Sequence, residues 1–186
     1  MSADTRHDRG VFGVAMSRVL VTGMPGGGKS SALAELGRRG YRVVDTDHPG
    51  WCEYRPYAQP VDALHRGEWH WVEDRMARLL ETDDGRPLFV AGRVANQSSF
   101  YDRFDGVVLL SAPVEVLLDR VRQRTTNDYG KTPLERAEIL ADLAEIEPQL
   151  RASCTHVLDA NRPLDDVVAD LITVATGPRR RDISRR

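Results

Sequence analysis

The feature that most constrains this chain is the octapeptide Gly23-Met24-Pro25-Gly26-Gly27-Gly28-Lys29-Ser30, which fits the pattern G-x-x-x-x-G-K-[ST]. It follows the apolar run Val19-Leu20-Val21 and precedes a stretch rich in Ala and Leu, so a strand, a tight loop and a helix are predicted in that order. The glycines let backbone N–H groups turn inward, and the helix N-terminus adds partial positive charge, which together make a cradle for phosphate. Lys29 is one of only two lysines, with Lys131, among 26 basic Lys and Arg residues. A compact ammonium is thus kept at the one loop position where a planar arginine fork does not fit between β- and γ-phosphate. Gly23, Met24, Pro25, Gly26, Gly27, Gly28, Lys29, Ser30 and Ser31 are therefore expected to bind ATP, with the Ser30 hydroxyl directed at Mg²⁺.

Downstream, apolar β-branched runs alternate with amphipathic stretches, the pattern of a parallel sheet covered by helices. Strands are predicted at 18–22, 42–45, 88–91, 106–110 and 156–158, and helices at 29–39, 69–82, 114–124, 133–151 and 164–176. No interior linker or repeat interrupts this order, so 17–176 is expected to form one domain of three α/β/α layers. Residues 1–16 are expected to be a flexible extension and 177–186 a basic tail with Arg179-Arg180-Arg181 and Arg185-Arg186. A net charge of −2 gives no overall basic field, so nucleic acid is not expected as a partner. Cys52 and Cys154 lack metal spacing and suit a reducing cytosol, and no apolar run reaches bilayer length. A cytoplasmic protein without membrane contact, monomeric or weakly dimeric, is the expectation. His48, His65, His70 and His156 have no metal-ligand spacing either.

Absences narrow the phosphate-loop classes. Neither lysine lies in an Asn-Lys-x-Asp or Thr-Lys-x-Asp context, which disfavours a guanine-reading GTPase. There is no Leu-Ser-Gly-Gly-Gln transporter signature, and no apolar strand ends in the Asp-Glu of a ring-forming mechanical ATPase. The strand that does end in carboxylates is Tyr41-Arg42-Val43-Val44-Asp45-Thr46-Asp47. If extended geometry continues through Thr46, Asp45 and Asp47 share a side, at the strand end that borders the ligand crevice of a parallel sheet; the alternative is a polar turn, since Asp-Thr-Asp-His-Pro-Gly is also turn composition. Asp45 is expected to hold Mg²⁺ with Ser30, and Asp47 to reach a hydroxyl on the phosphoryl acceptor. Arg120 and Arg124 stand four residues apart on one helix face, before a polar Gly-containing flap that includes Lys131. Positive groups closing over a migrating phosphoryl group are the main catalytic device of such enzymes, so Lys29, Asp47, Arg120 and Arg124 form the expected catalytic set.

These residues together resemble the shikimate kinase and nucleoside-monophosphate kinase branch of small phosphate-loop kinases, over nearly the whole of 17–175. Asp45-Thr46-Asp47 is similar to the Asp-Thr-Asp of shikimate kinases, and Gly67-Glu68 resembles their segment opening the acceptor-binding helix. The resemblance implies five parallel strands and a small lid over about 120–133. It also implies an adenine sandwiched between Arg120 and Pro163, the latter in a loop, Ala160-Asn161-Arg162-Pro163-Leu164, that includes Arg162.

The acceptor half departs from that family. The arginine expected after Gly-Glu falls at about Val72, the one before Pro-Leu is replaced in Ile146-Glu147-Pro148, and the three-glycine strand end reads Ala91-Gly92-Arg93. Loss of bidentate arginines weakens a carboxylate site, so the acceptor is expected not to be shikimate. Glu68, Trp71, Arg93 and Glu147 stand in the replaced positions as acceptor candidates, beside Asp47. On a helix over 69–82, Trp69 joins the apolar stripe with Val72, Met76, Leu79 and Leu80, which leaves Trp71 on the polar face as an exposed stacking surface. The expected acceptor is a hydroxyl compound, neutral or partly cationic, with some flat or apolar surface, such as a nucleoside or an antibiotic-like metabolite. The alternative is a regulatory protein that binds nucleotide, hydrolyses it slowly and has no acceptor. A nucleotide-end or polynucleotide kinase is disfavoured because the acidic balance offers no phosphate-tracking stripe.

Overall fold

The protein is described by a computed structural model over residues 17–59 and 66–177. The expected extension 1–16, the tail beyond Gly177 and His65 lie outside those residues. In chain order the elements are β1 (Arg18–Thr22), α1 (Lys29–Arg38), β2 (Arg42–Asp45), β3 (Cys52–Pro56), β4 (Gly67–Trp71), α2 (Glu73–Glu81) and β5 (Leu88–Ala91). A 3₁₀ turn (Gln97–Arg103) follows, then β6 (Gly106–Ser111), α3 (Val114–Gln123), α4 (Pro133–Glu145), α5 (Glu147–Ser153), β7 (His156–Asp159) and α6 (Leu164–Thr176).

Five strands form one parallel sheet in the order β2-β5-β1-β6-β7, as the strand pattern implied. Period-two alternation sorts its side chains into two layers. Val19, Val21, Phe89, Ala91, Val108 and Leu110 pack with Leu33 and Leu36 of α1 and Val168 and Leu171 of α6. Leu20, Leu88, Val90 and Val107 face the other way, against Met76 and Leu80 of α2 and against Phe100 and Phe104 around the 3₁₀ turn. The three expected layers are present. β1 lies at the centre, so the loop that leaves its carboxyl end opens where the strand order diverges to β5 on one side and β6 on the other.

Two predicted helices take a different form. The segment expected to be helical over 69–82 divides into strand β4 and helix α2, with β4 pairing antiparallel to β3 through Tyr54↔Trp69 and Cys52↔Trp71. Gly-Glu-Trp-His-Trp alternates bulky aromatics at period two and favours a pleated partner, whereas helix begins only at Glu73, with Glu73 and Asp74 suited to the first turn. The stretch over 133–151 is likewise two helices, interrupted at Ile146. Pro148 has no N–H to continue the ladder and its ring crowds the preceding turn, which ends α4. At its other end α4 opens with a reciprocal capping box between Thr132 and Glu135.

Candidate active site

The phosphate loop is shaped by close backbone packing. Gly26 adopts φ +81°, and a Cβ there would meet the Leu117 carbonyl oxygen of α3 at 2.4 Å. Gly28, with φ +85°, is the N-cap of α1 and has no side-chain cap, so the first N–H groups of α1 face the loop. Met24 is buried beneath it, and its carbonyl accepts from Gly27 N–H at 3.0 Å. The Lys29 ammonium folds back to donate to the carbonyls of Gly23 (2.7 Å) and Met24 (3.2 Å).

Around this loop lies a cleft of about 1330 Å³, ample for a nucleotide and a second small molecule. Gly23, Pro25, Gly26, Gly27, Gly28, Lys29, Ser30 and Ser31 line its floor. The ends of β2 and β5 and the β3–β4 hairpin contribute Asp45, Thr46, Asp47, Cys52, Trp69 and Arg93 on one side. The region of β6 and β7 with α3 contributes Arg120, Arg124, Tyr129, Ala160 and Arg162 on the other. Burial lowers the Lys29 ammonium to about 8; Arg93 and Arg124 add to that, while Asp47 and Asp45 oppose it. Mutual influence of this kind places the phosphate-loop lysine, both carboxylates and two arginines around one space.

The strand does not continue through Thr46 as expected: β2 ends at Asp45, and the chain turns there, with His48 N–H donating to the Asp45 carbonyl at 3.3 Å. Thr46 N–H donates to the Ala91 carbonyl at 2.9 Å, and the Thr46 hydroxyl donates to the same oxygen at 2.8 Å. The buried Trp71 indole N–H in turn donates to the Thr46 hydroxyl at 3.0 Å. Both aspartates face the cleft, and Asp47 N–H turns back onto the Asp45 carboxylate at 3.1 Å. Gly92 makes this lock possible, because a Cβ there would lie 2.0 Å from the Thr46 hydroxyl oxygen.

Arg120 bridges the two sides of the donor region, donating to the Gly26 carbonyl (3.4 Å) and the Ala160 carbonyl (2.9 Å). Arg124 donates to the Tyr129 carbonyl at 2.7 Å, and burial pulls its guanidinium below the usual arginine range. Lys131 does something other than face phosphate. Its ammonium donates to the carbonyls of Val121, Arg122 and Arg124 and so caps the C-terminal end of α3.

Several expected site residues lie elsewhere. Trp71 is completely buried, edge-on to Phe100, and offers no stacking surface. Trp69, expected in the core, is 56% exposed and lines the cleft. Strand parity puts both indoles on one face of β4, and the hairpin inserts the Trp71 end into the core while Trp69 emerges at the mouth. Glu68 is held by Tyr57 (3.0 Å) and His70 (2.8 Å), away from the cleft wall. Glu147 accepts from the Ser111 hydroxyl and Arg151 at the sheet's edge, also off the wall. Pro163 is the N-cap of α6, outside the lining, whereas its neighbour Arg162 lines the cleft and pairs with Asp170 at 2.5 Å. Arg93 does reach the cleft, but it is tied to Asp142 of α4 at 2.5 Å. Asn96 does not cap the following turn; its amide clamps the Trp71 backbone through two hydrogen bonds, at 2.9 and 3.2 Å. Thr46 has no role predicted from the sequence, and the period of two in 67–71 is the signal that sets Trp69 on a strand instead of the core stripe of a helix.

A glycine loop between the first strand and first helix of a parallel sheet, facing a carboxylate pair and lid arginines, defines a phosphate-loop nucleotide-binding protein of the kinase type. Residues 19–141 match the family described as AAA domain. The chain is 31% identical over 180 residues to the shikimate kinase of Salinibacter ruber, covering 86% of this chain and 84% of that one. It is 26% identical over 167 residues to shikimate kinase 2 of Yersinia enterocolitica, covering 84% and 94%. Among solved structures, the Acinetobacter baumannii shikimate kinase in complex with shikimate shares the fold at a TM-score of 0.55 and 13% identity, covering 86% of this chain and 93% of that one. Deoxyadenosine kinase from M. mycoides with bound dATP does so at 0.53 and 14%, covering 85% and 98%. The chain therefore belongs to the family described as AAA domain and is a shikimate kinase-like phosphate-loop kinase. It is an enzyme of ATP-dependent phosphoryl transfer to a small molecule. Among the described residues no helix is long and apolar enough to cross a membrane.

Proposed function

We propose that the acceptor is a hydroxyl-bearing metabolite other than shikimate, phosphorylated between Lys29 and Asp47 on the floor of the cleft. The observation that carries this reading is the engagement of Arg93. It is the arginine at the β5 end, and Asp142 already holds it. Nearby Arg55 pairs with Glu53 and Glu73, and Arg75 lies over the Trp51 ring. Among the described residues this side of the wall thus presents two aspartates and an arginine already paired with Asp142, a poor match for a small carboxylic acid.

In this reading the phosphate loop, Lys29 and Ser31 bind the triphosphate, and Arg120 and Arg162 border the base. The acceptor hydroxyl oxygen bonds to the γ-phosphorus, the bond from that phosphorus to the β–γ bridging oxygen breaks, and ADP leaves. Asp47 orients the hydroxyl and takes its proton. Arg124 balances charge on the transferring group from the lid. Because the transition state is loose, orientation by Asp47 outweighs its basicity. The Ser30 hydroxyl and Asp45 carboxylate are hard oxygen donors that suit Mg²⁺, an ion that takes its remaining ligands from phosphate and water. No group of three acidic, His or Cys side chains among the described residues could hold a metal unaided, which agrees with an ion brought by the nucleotide. Bound there, Mg²⁺ would supply charge neutralisation for the β- and γ-phosphates.

The test is ATP consumption by the purified chain with and without a metabolite pool, followed by product mass. Stimulation by the pool is expected, with near-complete loss in Lys29→Ala and a loss of about a hundredfold or more in Asp47→Asn. Consumption that the pool does not change would leave a nucleotide-hydrolysing protein without an acceptor. Full activity of Asp47→Asn would remove Asp47 from its role.

A further inference from the structure

We propose that Trp69 is the stacking platform of the acceptor site, and that the acceptor carries an uncharged planar heteroaromatic ring beside its hydroxyl, as a nucleoside does. The inference rests on the kinase reading above and narrows its substrate class.

Trp69 is the most exposed large hydrophobic side chain among the described residues, and its indole opens onto the same cleft as Asp47. A large exposed aromatic at a cleft mouth, unlike one on an open surface, has a ligand-shaped space in front of it. Its position is built. The Trp69 carbonyl accepts from Ala95 N–H at 2.9 Å, which pins β4 over the chain leaving β5. Across the hairpin the Tyr54 ring stands at 63° to it, with centroids 5.5 Å apart, and limits its rotation. Two residue pairs further along, Trp71 is anchored by the Asn96 amide and the Thr46 hydroxyl. A two-stranded hairpin is marginal by itself, and these anchors give Trp69 a fixed place relative to the Asp45-Thr46-Asp47 segment.

The chemistry of the wall selects the ring. Beside Trp69 it offers Pro49, Gly50, Cys52 and Val94, with Asp45, Thr46, Asp47, His48 and Arg93 as the polar groups, of which Thr46 is hydrogen-bonded to Trp71 and Arg93 is paired with Asp142. The Cys52 thiol is committed to the Thr46 carbonyl at 3.2 Å, and burial together with Asp47 pushes it up to about 11, so it stays a neutral thiol. A small acid would meet two carboxylates and an arginine already paired with Asp142. A flat neutral ring loses little by leaving water and gains the indole face, while its attached hydroxyl remains available to Asp47.

The experiment uses the full chain saturated with Mg²⁺ and AMP-PNP, so that the donor site is filled, and measures calorimetric binding of four probes. These are the pyrimidine nucleosides uridine and cytidine, methyl β-D-ribofuranoside as the same sugar without a ring, and shikimate. At least one nucleoside is expected to bind about tenfold or more tighter than the riboside and shikimate. Trp69→Ala should erase that difference and Trp69→Phe should keep it to within about threefold, with AMP-PNP affinity unchanged in both. Equal binding of nucleoside and riboside, absence of nucleoside binding, or an undiminished preference in Trp69→Ala would overturn the stacking role. AMP-PNP binding that is lost in Lys29→Ala is the separate readout for the kinase reading. If it holds while ring preference is absent, only the platform falls, and if wild type does not bind AMP-PNP both fall.

Discussion

The indole N–H of Trp71 donates to the hydroxyl of Thr46 at 3.0 Å, and through it a buried residue of the hairpin holds the backbone that carries Asp45 and Asp47. The two carboxylates that line the cleft are therefore supported from the core side, and the hairpin is part of the cleft's frame.

Trp71→Phe should cost about 2–3 kcal/mol in urea unfolding, combining one lost hydrogen bond with a cavity where the indole ring was. Turnover should fall about tenfold, since a small displacement of Asp47 misaligns the hydroxyl. Gly92→Ala should produce a similar loss of turnover, because its Cβ would sit 2.0 Å from the Thr46 oxygen and force that segment to move. Parallel measurement of stability and turnover in both variants checks the coupling.

The ammonium of Lys29, held near 8 rather than 10.5 by burial, loses its charge in the free protein as pH rises through that value. ATP affinity is therefore expected to fall above pH 8, by up to about tenfold per pH unit, when titrated calorimetrically. In Lys29→Arg, with a cation that stays charged, the profile should be flat although binding is weaker. The effect on folding has the opposite sign. Between about 8 and 10.5 the unfolded chain holds the proton that the folded chain has released, so this group's contribution to stability rises with pH in that window.

Freeing Arg93 should change what the cleft accepts. In Asp142→Asn the arginine loses its carboxylate partner at 2.5 Å and becomes available to a ligand acid. Shikimate binding to the nucleotide-loaded protein should strengthen about fivefold or more, while thermal stability drops by no more than about 1 kcal/mol. Unchanged shikimate affinity would count against the argument from Arg93.

The two lysines should part company under mutation. Lys131→Met removes the three donations that close the end of α3, so amide exchange over 121–131 should accelerate and stability should fall by roughly 1–2 kcal/mol. Nucleotide affinity should change by less than about threefold, because that ammonium faces backbone carbonyls and not the cleft. Lys29→Ala, measured alongside, should lose nucleotide affinity instead.

What the residues determined unaided was whatever depends on neighbours in the chain. The loop at 23–30 carries its own turn chemistry, the apolar runs of β1, β5 and β6 alternate without ambiguity, and α6 has the predicted bounds 164–176. Asp45 and Asp47 both line the cleft, but a turn after Asp45 brings them there and not the alternation of a strand, because β2 ends at Asp45. Tertiary structure alone decided the acceptor half. Trp69 fits a helical stripe that leaves Trp71 off it, while both fit a strand alternation, and over so short a span it is pairing with β3 that selects the strand. Pairing then exchanged their fates, with Trp71 driven into the core and Trp69 left at the cleft. The charges behave likewise: whether Arg93 or Lys131 is free to meet a ligand depends on Asp142 and on the carbonyls at the end of α3, and on how α4 and the lid loop fold back over the sheet. Period and turn chemistry are properties of a segment, whereas burial and ion pairing belong to the space between segments, and in this protein the walls of the cleft are set in that space.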